Sequence, residues 1–150
     1  LPYSFSANGK RQKDHYLCYQ YNAFELMDLV PYFELTKDHK LLEILKKLSF
    51  FLKKGVSSRG FAKFDCRKDH PLVPYYTAAL AGAYHDCSRL GWSEFERKRD
   101  LLIEKLLGLQ KLDGGFDFSY GNYKLLNDRR SYPRALVMIL HQLLKICLIT

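Results

Sequence analysis

The 150-residue sequence lacks several patterns that would point to a familiar class of protein. Its four cysteines include no C-x-x-C pair, which argues against a zinc ribbon or a thiol redox motif. We therefore expect buried, reduced thiols, no metal site and no cofactor. The longest apolar stretch, residues 135–149, is interrupted by His141, Gln142 and Lys145, so the sequence predicts no membrane span.

A secretory signal peptide is also missing, because no basic segment followed by an apolar one stands near the beginning. The chain begins at Leu1 rather than at methionine, and it ends at Thr150 directly after an apolar helical pattern. We interpret residues 1–150 as a single domain that is a fragment of a larger protein. Without a signal peptide or a disulfide framework, a cytoplasmic location is the expectation.

The balance of charge is basic, with 24 Lys and Arg residues against 16 Asp and Glu residues and a formal net charge of +8. The basic residues are spread along the whole chain, and helical spacing places most of them on solvated faces. No RNP, zinc-finger or helix-turn-helix signature accompanies them. We therefore predict no nucleic-acid partner.

An internal repeat is the strongest pattern in the sequence. Sliding the chain against itself by 55 residues aligns Tyr21 with Tyr76, Ala23 with Ala78, Leu52 with Leu107 and Gly60 with Gly115. A partial third copy follows at an offset of 56, which gives repeat units of about 16–71, 72–130 and 131–150. Repeats of this kind predict stacked structural units, each burying its apolar face against the next.

Each repeat unit contains an apolar helical pattern and, in the first two units, an amphipathic one. The apolar patterns cover 23–33, 78–84 and 135–144, and the amphipathic patterns cover 41–52 and 95–109. A helix that is apolar all round belongs inside a protein, whereas a striped helix covers it from outside. The sequence therefore predicts an all-α fold of α/α hairpin repeats, with inner apolar helices and outer amphipathic helices.

Local signals refine the predicted helix boundaries. Asp38 aligns with Ser93 as a helix start, and Ser93-x-x-Glu96 has the spacing of a capping box. Pro31 lies inside the first inner helix, where its ring should bend the helix or end it early.

The segment 110–116, Gln-Lys-Leu-Asp-Gly-Gly-Phe, resembles the Q-x-x-D-G-G-F repeat of terpenoid cyclases and protein prenyltransferases. The resemblance implies an (α/α) toroid with a site in its central cavity, of which this chain supplies a part. Only one full copy is present, since residues 56–61 keep just the final Gly-Phe. The DxDD and DDxxD motifs of isoprenoid ionisation are missing, and Cys66 directly follows Asp65, which is not the D-x-C spacing of the prenyltransferase zinc site.

The predicted site lies where the two long loops, 55–72 and 110–130, lead into the next inner helix. Inner-helix N-termini point to the same end and favour an anionic or polyhydroxylated ligand. The predicted ligand-binding residues at this end are Tyr76, Tyr132, Arg129, Arg134, Asp65 and Asp113. Two alternatives stay open: Asp113 shapes a turn before Gly-Gly, and residues 127–131 form a helix cap with a local ion pair.

Two pairs of residues are candidates for catalysis. Asp128 and Arg130 stand two residues apart in the second loop. Glu25 and Asp28 stand three residues apart on one face of the first inner helix, where they could act as acid and base. The alternative for Glu25 and Asp28 is a structural ion pair with a neighbouring Lys or Arg. These patterns do not decide whether the chain is an enzyme.

The aromatic, Arg and Asp composition of this end favours a site for anionic carbohydrate, in a polysaccharide-binding domain, a lyase or a hydrolase. The family resemblance implies an alternative, the handling of isoprenoid or prenyl diphosphate. A non-catalytic helical repeat scaffold is the third hypothesis. The expected ligand is accordingly an anionic glycan or a lipid-linked small molecule.

Repeat arrays need covered ends, and an uncovered apolar face normally associates with a partner. We therefore expect Phe24, Met27, Ile139 and Leu143 to be left uncovered at the two ends of the array. Missing repeats of the parent chain, or self-association, would cover them.

Overall fold

The computed structural model describes residues 18–122 and 125–148, and within these ranges the chain is mostly helical. The elements in chain order are α1 (Tyr19–Thr36), α2 (His39–Leu52), α3 (Pro74–Arg89), α4 (Glu96–Leu107), β1 (Ser119–Asn122), β2 (Leu126–Asp128) and α5 (Pro133–Leu148). A short 3-10 helix, Ser93–Phe95, leads directly into α4. The five predicted helices are confirmed, whereas the antiparallel hairpin of β1 and β2 is a feature that the periodicity did not predict.

Helix α3 is the centre of the fold. It packs against α1, α4 and α5, while α2 packs mainly against α1. Almost every residue of α3 from Thr77 to Cys87 is buried, as expected for the apolar pattern. The amphipathic helices α2 and α4 bury only one stripe each, and their charged stripe faces solvent.

Small residues in α3 allow its two neighbours to come close. A Cβ atom on Gly82 would lie 2.1 Å from Oε1 of Gln142 on α5 and 3.0 Å from Sδ of Met27 on α1. Both distances are shorter than an ordinary van der Waals contact, so a side chain at this position requires a neighbour to move. Gly82 therefore marks the point where α1 and α5 converge on α3.

A network of charged side chains joins the same three helices near the end of α3. The ammonium group of Lys145 on α5 donates to the carboxylate of Asp86, which is only 1% exposed. Arg89 approaches the other oxygen of Asp86 at 3.5 Å and also donates to Glu34 on α1 at 2.8 Å. A buried carboxylate is stable only when it is paired, so Asp86 requires the cations that α3 and α5 place beside it.

The two long loops lie side by side. The N–H of Leu72 donates to the carbonyl of Tyr120 and the N–H of Tyr120 donates to the carbonyl of Leu72, each at 2.8 Å. The loop before α3 is thereby joined to strand β1 in the loop before α5. Both loops consequently lie at the same end of the helices.

The turns at 57–61 and 111–115 have the same backbone hydrogen bonds. In each turn the N–H of the first residue donates to the carbonyl of the fifth, and the N–H of the fourth donates to the carbonyl of the first. The fourth residue is Gly60 in one turn and Gly114 in the other, and both have positive φ angles, of 83° and 81°. The hydrogen bonds therefore align the turns at an offset of 54, one residue less than the offset that aligns Gly60 with Gly115.

The helix-start and proline predictions have mixed outcomes. Asp38 caps α2 as expected, since its side chain accepts the N–H of Lys40 at 2.8 Å. The capping box at Ser93 is wrong, because Ser93 begins the 3-10 turn and neither that turn nor α4 has a side-chain cap. The early end predicted at Pro31 is also wrong, because α1 continues to Thr36.

The apolar residues that the sequence predicted to be uncovered differ from those that are exposed in the structure. Met27 and Ile139 are buried against α3, and Phe24 and Leu143 are half-buried. The exposed apolar side chains on α1 and α5 are Tyr21, Tyr32, Leu35, Val137, Leu140, Leu144 and Leu148. No helix in the described ranges is long and apolar enough to cross a membrane.

Candidate functional site

A cleft of about 760 Å³ opens between the first turns of α1 and α5, above the beginning of α3. Five aromatic rings line it, from α1, from α3 and from the residues just before β1 and α5: Tyr21, Phe24, Tyr75, Phe118 and Tyr132. Gln20 and Arg134 supply its polar groups, and Ala135 and Met138 complete the wall on α5. We call this site the aromatic cleft.

The rings of the aromatic cleft belong to a longer chain of aromatic contacts. Phe64 stacks on Tyr76 with ring centroids 5.5 Å apart, and Tyr76 meets Tyr75 edge to face at 4.7 Å. Tyr75 is 6.2 Å from Phe118, which meets Tyr132 edge to face at 4.8 Å. Such contacts fix the orientation of each ring. The wall of the cleft is therefore preformed rather than assembled around a ligand.

The hydroxyls of Tyr75 and Tyr76 stay protonated at neutral pH. Burial raises the pKa of Tyr75 and, more strongly, the pKa of Tyr76. The predicted ligand residue Tyr76 lies behind Tyr75, which is the one that lines the cleft. Tyr75 can therefore act toward a ligand as a hydroxyl donor and as an aromatic surface, but not as a phenolate base.

Arg134 gives the aromatic cleft a positive charge. It lies in the first turn of α5 and is exposed, and no carboxylate within the described ranges pairs with it. The N-terminal ends of α1 and α3 add partial positive charge at the same place. The electrostatics of the cleft therefore favour an anionic group.

A second cavity of about 720 Å³ continues along α1 and α5 and shares Phe24 and Met138 with the aromatic cleft. Its walls are chiefly apolar, with Met27 on α1 and leucine and valine side chains on α5. Asp28, His141 and Lys145 add charged or polar groups. The two cavities form one groove that is aromatic at the loop end and aliphatic farther along.

The predicted pair of Asp128 and Arg130 lies between β2 and α5, outside the lining of the aromatic cleft. The Arg130 guanidinium donates to both oxygens of Asp128, at 2.9 and 2.7 Å, and lowers the pKa of that carboxyl to about 2. The Tyr132 hydroxyl also donates to Asp128, at 3.4 Å, and Arg130 lies 5.0 Å from the centroid of the Tyr132 ring. The pair is the local ion pair that the sequence analysis kept as an alternative. It contacts the side chain of Tyr132, which lines the cleft.

The other predicted catalytic residues, Glu25 and Asp28, are both exposed, although an inner helix was expected to leave little solvent for carboxylates. Only Asp28 lines one of the two cavities of the groove, the second cavity. The sequence placed the two residues on one face of α1. In the structure that face is turned partly away from α3. This helix lies at the edge of the described fold.

Three further predicted ligand residues, Asp65, Asp113 and Arg129, lie outside the lining of the aromatic cleft. Asp65 is fully buried, and its carboxylate accepts the N–H groups of Arg67 and Lys68 at 2.7 and 2.9 Å. Asp113 accepts the N–H of Gly115 at 2.9 Å, as expected for a residue that shapes a turn. Arg129 is exposed, and neither it nor the two aspartates lines the aromatic cleft.

The predicted ligand set thus has two members in the cleft, Tyr132 and Arg134, and it omits several residues that line it. One sequence signal for the rest is spacing. Gln20, Tyr21 and Phe24 have the same i, i+1, i+4 spacing as Arg134, Ala135 and Met138 on the facing helix. Phe118 has no such signal, because its position depends on the hairpin.

Comparison with protein families, curated proteins and solved structures gives no match to this chain. Within the described ranges no group of three or more His, Cys, Asp or Glu side chains is arranged to hold a metal ion.

Proposed function

We propose that this chain is part of an (α/α) toroid and that its aromatic cleft binds an anionic carbohydrate. The observation that carries the proposal is the combination of five aromatic rings in a single preformed cleft with Arg134, a cation that has no ion-pair partner in the described part of the chain. Aromatic rings offer flat apolar surfaces to the C–H faces of sugar rings, and tyrosine hydroxyls and the Gln20 amide can hydrogen-bond to sugar hydroxyls. Arg134 would pair with a carboxylate or sulfate on the sugar.

The toroid part of the proposal is supported by the order of packing. The apolar helices α1, α3 and α5 follow one another in space, and the amphipathic helices α2 and α4 each pack mainly on the apolar helix before them. The start of α1 at Tyr19 and of α3 at Pro74 differ by the repeat offset, as do the ends of α2 and α4. In such an arrangement the groove faces the central cavity.

We further propose that Asp128 and Arg130 orient Tyr132 rather than react with the ligand. Their charges neutralise each other, and the carboxyl is ionised over the whole neutral and mildly acidic range. A carboxylate with so low a pKa is a poor general acid or base. Asp28 is the predicted catalytic residue that lies in the groove, so it is the candidate acid or base if the domain is an enzyme.

The second cavity favours the alternative ligand, an isoprenoid or another lipid-linked molecule with an anionic head group. Its aliphatic walls continue directly from the aromatic cleft, so a head group near Arg134 would direct its tail along α5. A carbohydrate would leave these walls uncovered. The two ligands therefore differ in whether the second cavity takes part in binding.

Binding measurements on paired variants test the proposal. We expect uronate-containing or sulfated oligosaccharides to bind, and Phe118→Ala and Arg134→Gln each to weaken binding by about tenfold or more. Arg97→Gln, an exposed residue of α4 outside the groove, is the charge-matched control and should bind normally. Met138→Ser should change the affinity for an oligosaccharide only slightly. Strong loss with Met138→Ser and binding of prenyl diphosphates would favour the alternative, and equal loss from Arg97→Gln would refute a specific site.

A further inference from the structure

The solvent-facing side of α2 has an aromatic residue at its centre. Helix α2 buries Leu41, Leu45, Leu48 and Leu52 on one side. At about 100° per residue, Phe50 points almost directly away from this buried stripe. Its side chain is 65% exposed. An amphipathic helix normally has polar residues at this position, so Phe50 is the exception to the pattern.

Lysines surround this phenylalanine. Lys46 and Lys47 lie about one turn before it on α2, Lys53 and Lys54 follow directly after the helix ends at Leu52, and all four are exposed. The Lys54 ammonium lies 5.0 Å from the centroid of the Phe50 ring. We call Phe50 and these four lysines the α2 patch.

The packing of the fold does not require an aromatic residue at this position. At the repeat offset of 55, the position on α4 that corresponds to Phe50 is Lys105, which is partly exposed and paired with Glu104. Helix α4 therefore serves as an outer helix with a charged residue where α2 has a phenylalanine. Core packing therefore does not explain Phe50, and what distinguishes it from the other exposed apolar side chains is the group of lysines around it.

The charge of the α2 patch is only partly neutralised. Lys46 pairs with Glu43 at 3.0 Å, and Lys53 approaches Glu94 at 3.8 Å. No ion pair to Lys47 or Lys54 is found within the described ranges. The patch therefore keeps a positive charge around an exposed apolar centre.

We propose that the α2 patch is a docking surface for an anionic lipid bilayer, to which the chain binds peripherally. A phenylalanine at the centre can enter the boundary between head groups and acyl chains, while the flexible lysines around it reach acidic head groups. Each lysine near an anionic membrane adds to the attraction, and salt weakens it.

The chemistry of the patch favours a membrane over a nucleic acid. Helix α2 contains no arginine, although the planar arginine side chain is the usual choice for bidentate contacts to phosphates and bases. Lysines act as point charges, which suits a surface of mobile head groups. The proposal is independent of the ligand in the aromatic cleft, because that cleft lies between α1 and α5.

The test is co-sedimentation of the whole chain with vesicles of phosphatidylcholine alone and of phosphatidylcholine with about one third phosphatidylserine. We expect binding only to the anionic vesicles, with loss of binding as salt rises. Phe50→Ser should weaken it by about tenfold. The triple variant K46Q/K47Q/K54Q should weaken it by roughly 100-fold. Circular dichroism of each variant checks that the helices are intact.

Two matched variants separate a docking surface from general attraction. The triple variant R97Q/K105Q/R129Q removes the same charge outside the α2 patch, and Leu112→Ser removes a fully exposed apolar side chain from a turn. Both should bind the anionic vesicles nearly as well as the unmodified chain. Equal loss in the matched triple variant would overturn the proposal. So would tighter binding of single-stranded RNA than of vesicles with the same dependence on the α2 patch, or no preference for anionic vesicles.

Discussion

Replacing Lys145 with methionine should destabilise the fold strongly, because it removes the main partner of a buried carboxylate. Asp86 is 1% exposed, and the Lys145 ammonium, on α5, donates directly to it. Removing one member of a buried ion pair costs about 3–5 kcal/mol, since the other charge stays buried without compensation. Arg89 remains 3.5 Å from Asp86, and its own side chain is 31% exposed. We therefore expect a loss of about 2–3 kcal/mol, below the full range.

Urea denaturation followed by circular dichroism measures this loss, provided that the m-value is unchanged. The control is Lys105→Met, which breaks a pair with Glu104 whose side chains are 39% and 71% exposed. Exposed pairs contribute about 0–1 kcal/mol, so this variant should be nearly neutral. A double variant, D86L/K145M, should recover most of the stability because no buried charge remains.

If Lys145→Met were no more destabilising than Lys105→Met, the Asp86 carboxylate would not depend on Lys145. A double variant less stable than Lys145→Met alone would contradict that dependence as well. Either result would mean that the loss of Lys145 does not leave the buried charge of Asp86 poorly compensated. The network would then not be what joins α3 to α5.

Three further predictions follow from single residues. Gly115→Val should lower stability by about 1–3 kcal/mol, because a Cβ at Gly115 would lie 2.8 Å from the Ser131 hydroxyl oxygen; an unchanged thermal midpoint would show that the loop can relax. His85 is buried with neither ring nitrogen hydrogen-bonded, and burial lowers its pKa from 6.5. The unfolded chain therefore binds a proton that the folded chain does not, and stability should be complete above pH 6.5 and fall as the pH decreases below it. In urea denaturations repeated at several pH values, His85→Phe should remove this loss of stability below pH 6.5. The same pH dependence in the variant would show that other groups cause the loss. Finally, Arg130→Ala should return the pKa of Asp128 from about 2 toward its ordinary value of 3.8, which carboxyl-carbon NMR titration can follow; no change would mean that the pair does not form in solution.

The helices could be predicted from the sequence because they depend on local patterns. The apolar run of α3 and the leucine stripes of α2 and α4 fix where each helix lies and which side is buried. The cap at Asp38 is equally local, because its partner is two residues away.

Features that depend on tertiary contacts were not predictable in the same way. The bridge that joins strand β1 to the loop before α3 pairs Tyr120 with Leu72, and these residues are 48 positions apart in the sequence. The alignment of Gly60 with Gly115 missed the equivalent glycine by one position, because hydrogen bonds rather than residue identity define the turn. Identity alone could not distinguish two adjacent glycines.

The candidate site likewise contains residues that local sequence patterns predict and residues that only tertiary contacts bring together. Tyr132 and Arg134 were predicted because they precede or begin an inner helix at the loop end. Gln20 and Phe118 were not predicted. They reach the cleft only when α1 and α5 converge on α3 and when strand β1 pairs with the loop before α3. That convergence depends on Gly82, whose role is visible only from the distances around it.

The most direct test of the account is to locate the ligand-binding surface by NMR. Backbone amide shifts would be followed while an oligosaccharide of uronic acid residues is added to the isotope-labelled chain. Binding in the aromatic cleft predicts saturable shifts that cluster at Gln20, Phe118 and Arg134, at the aromatic end of the groove. Shifts confined to the lysines of α2, or shifts that scale with charge along the whole chain and never saturate, would contradict the claim that the aromatic cleft is the binding site.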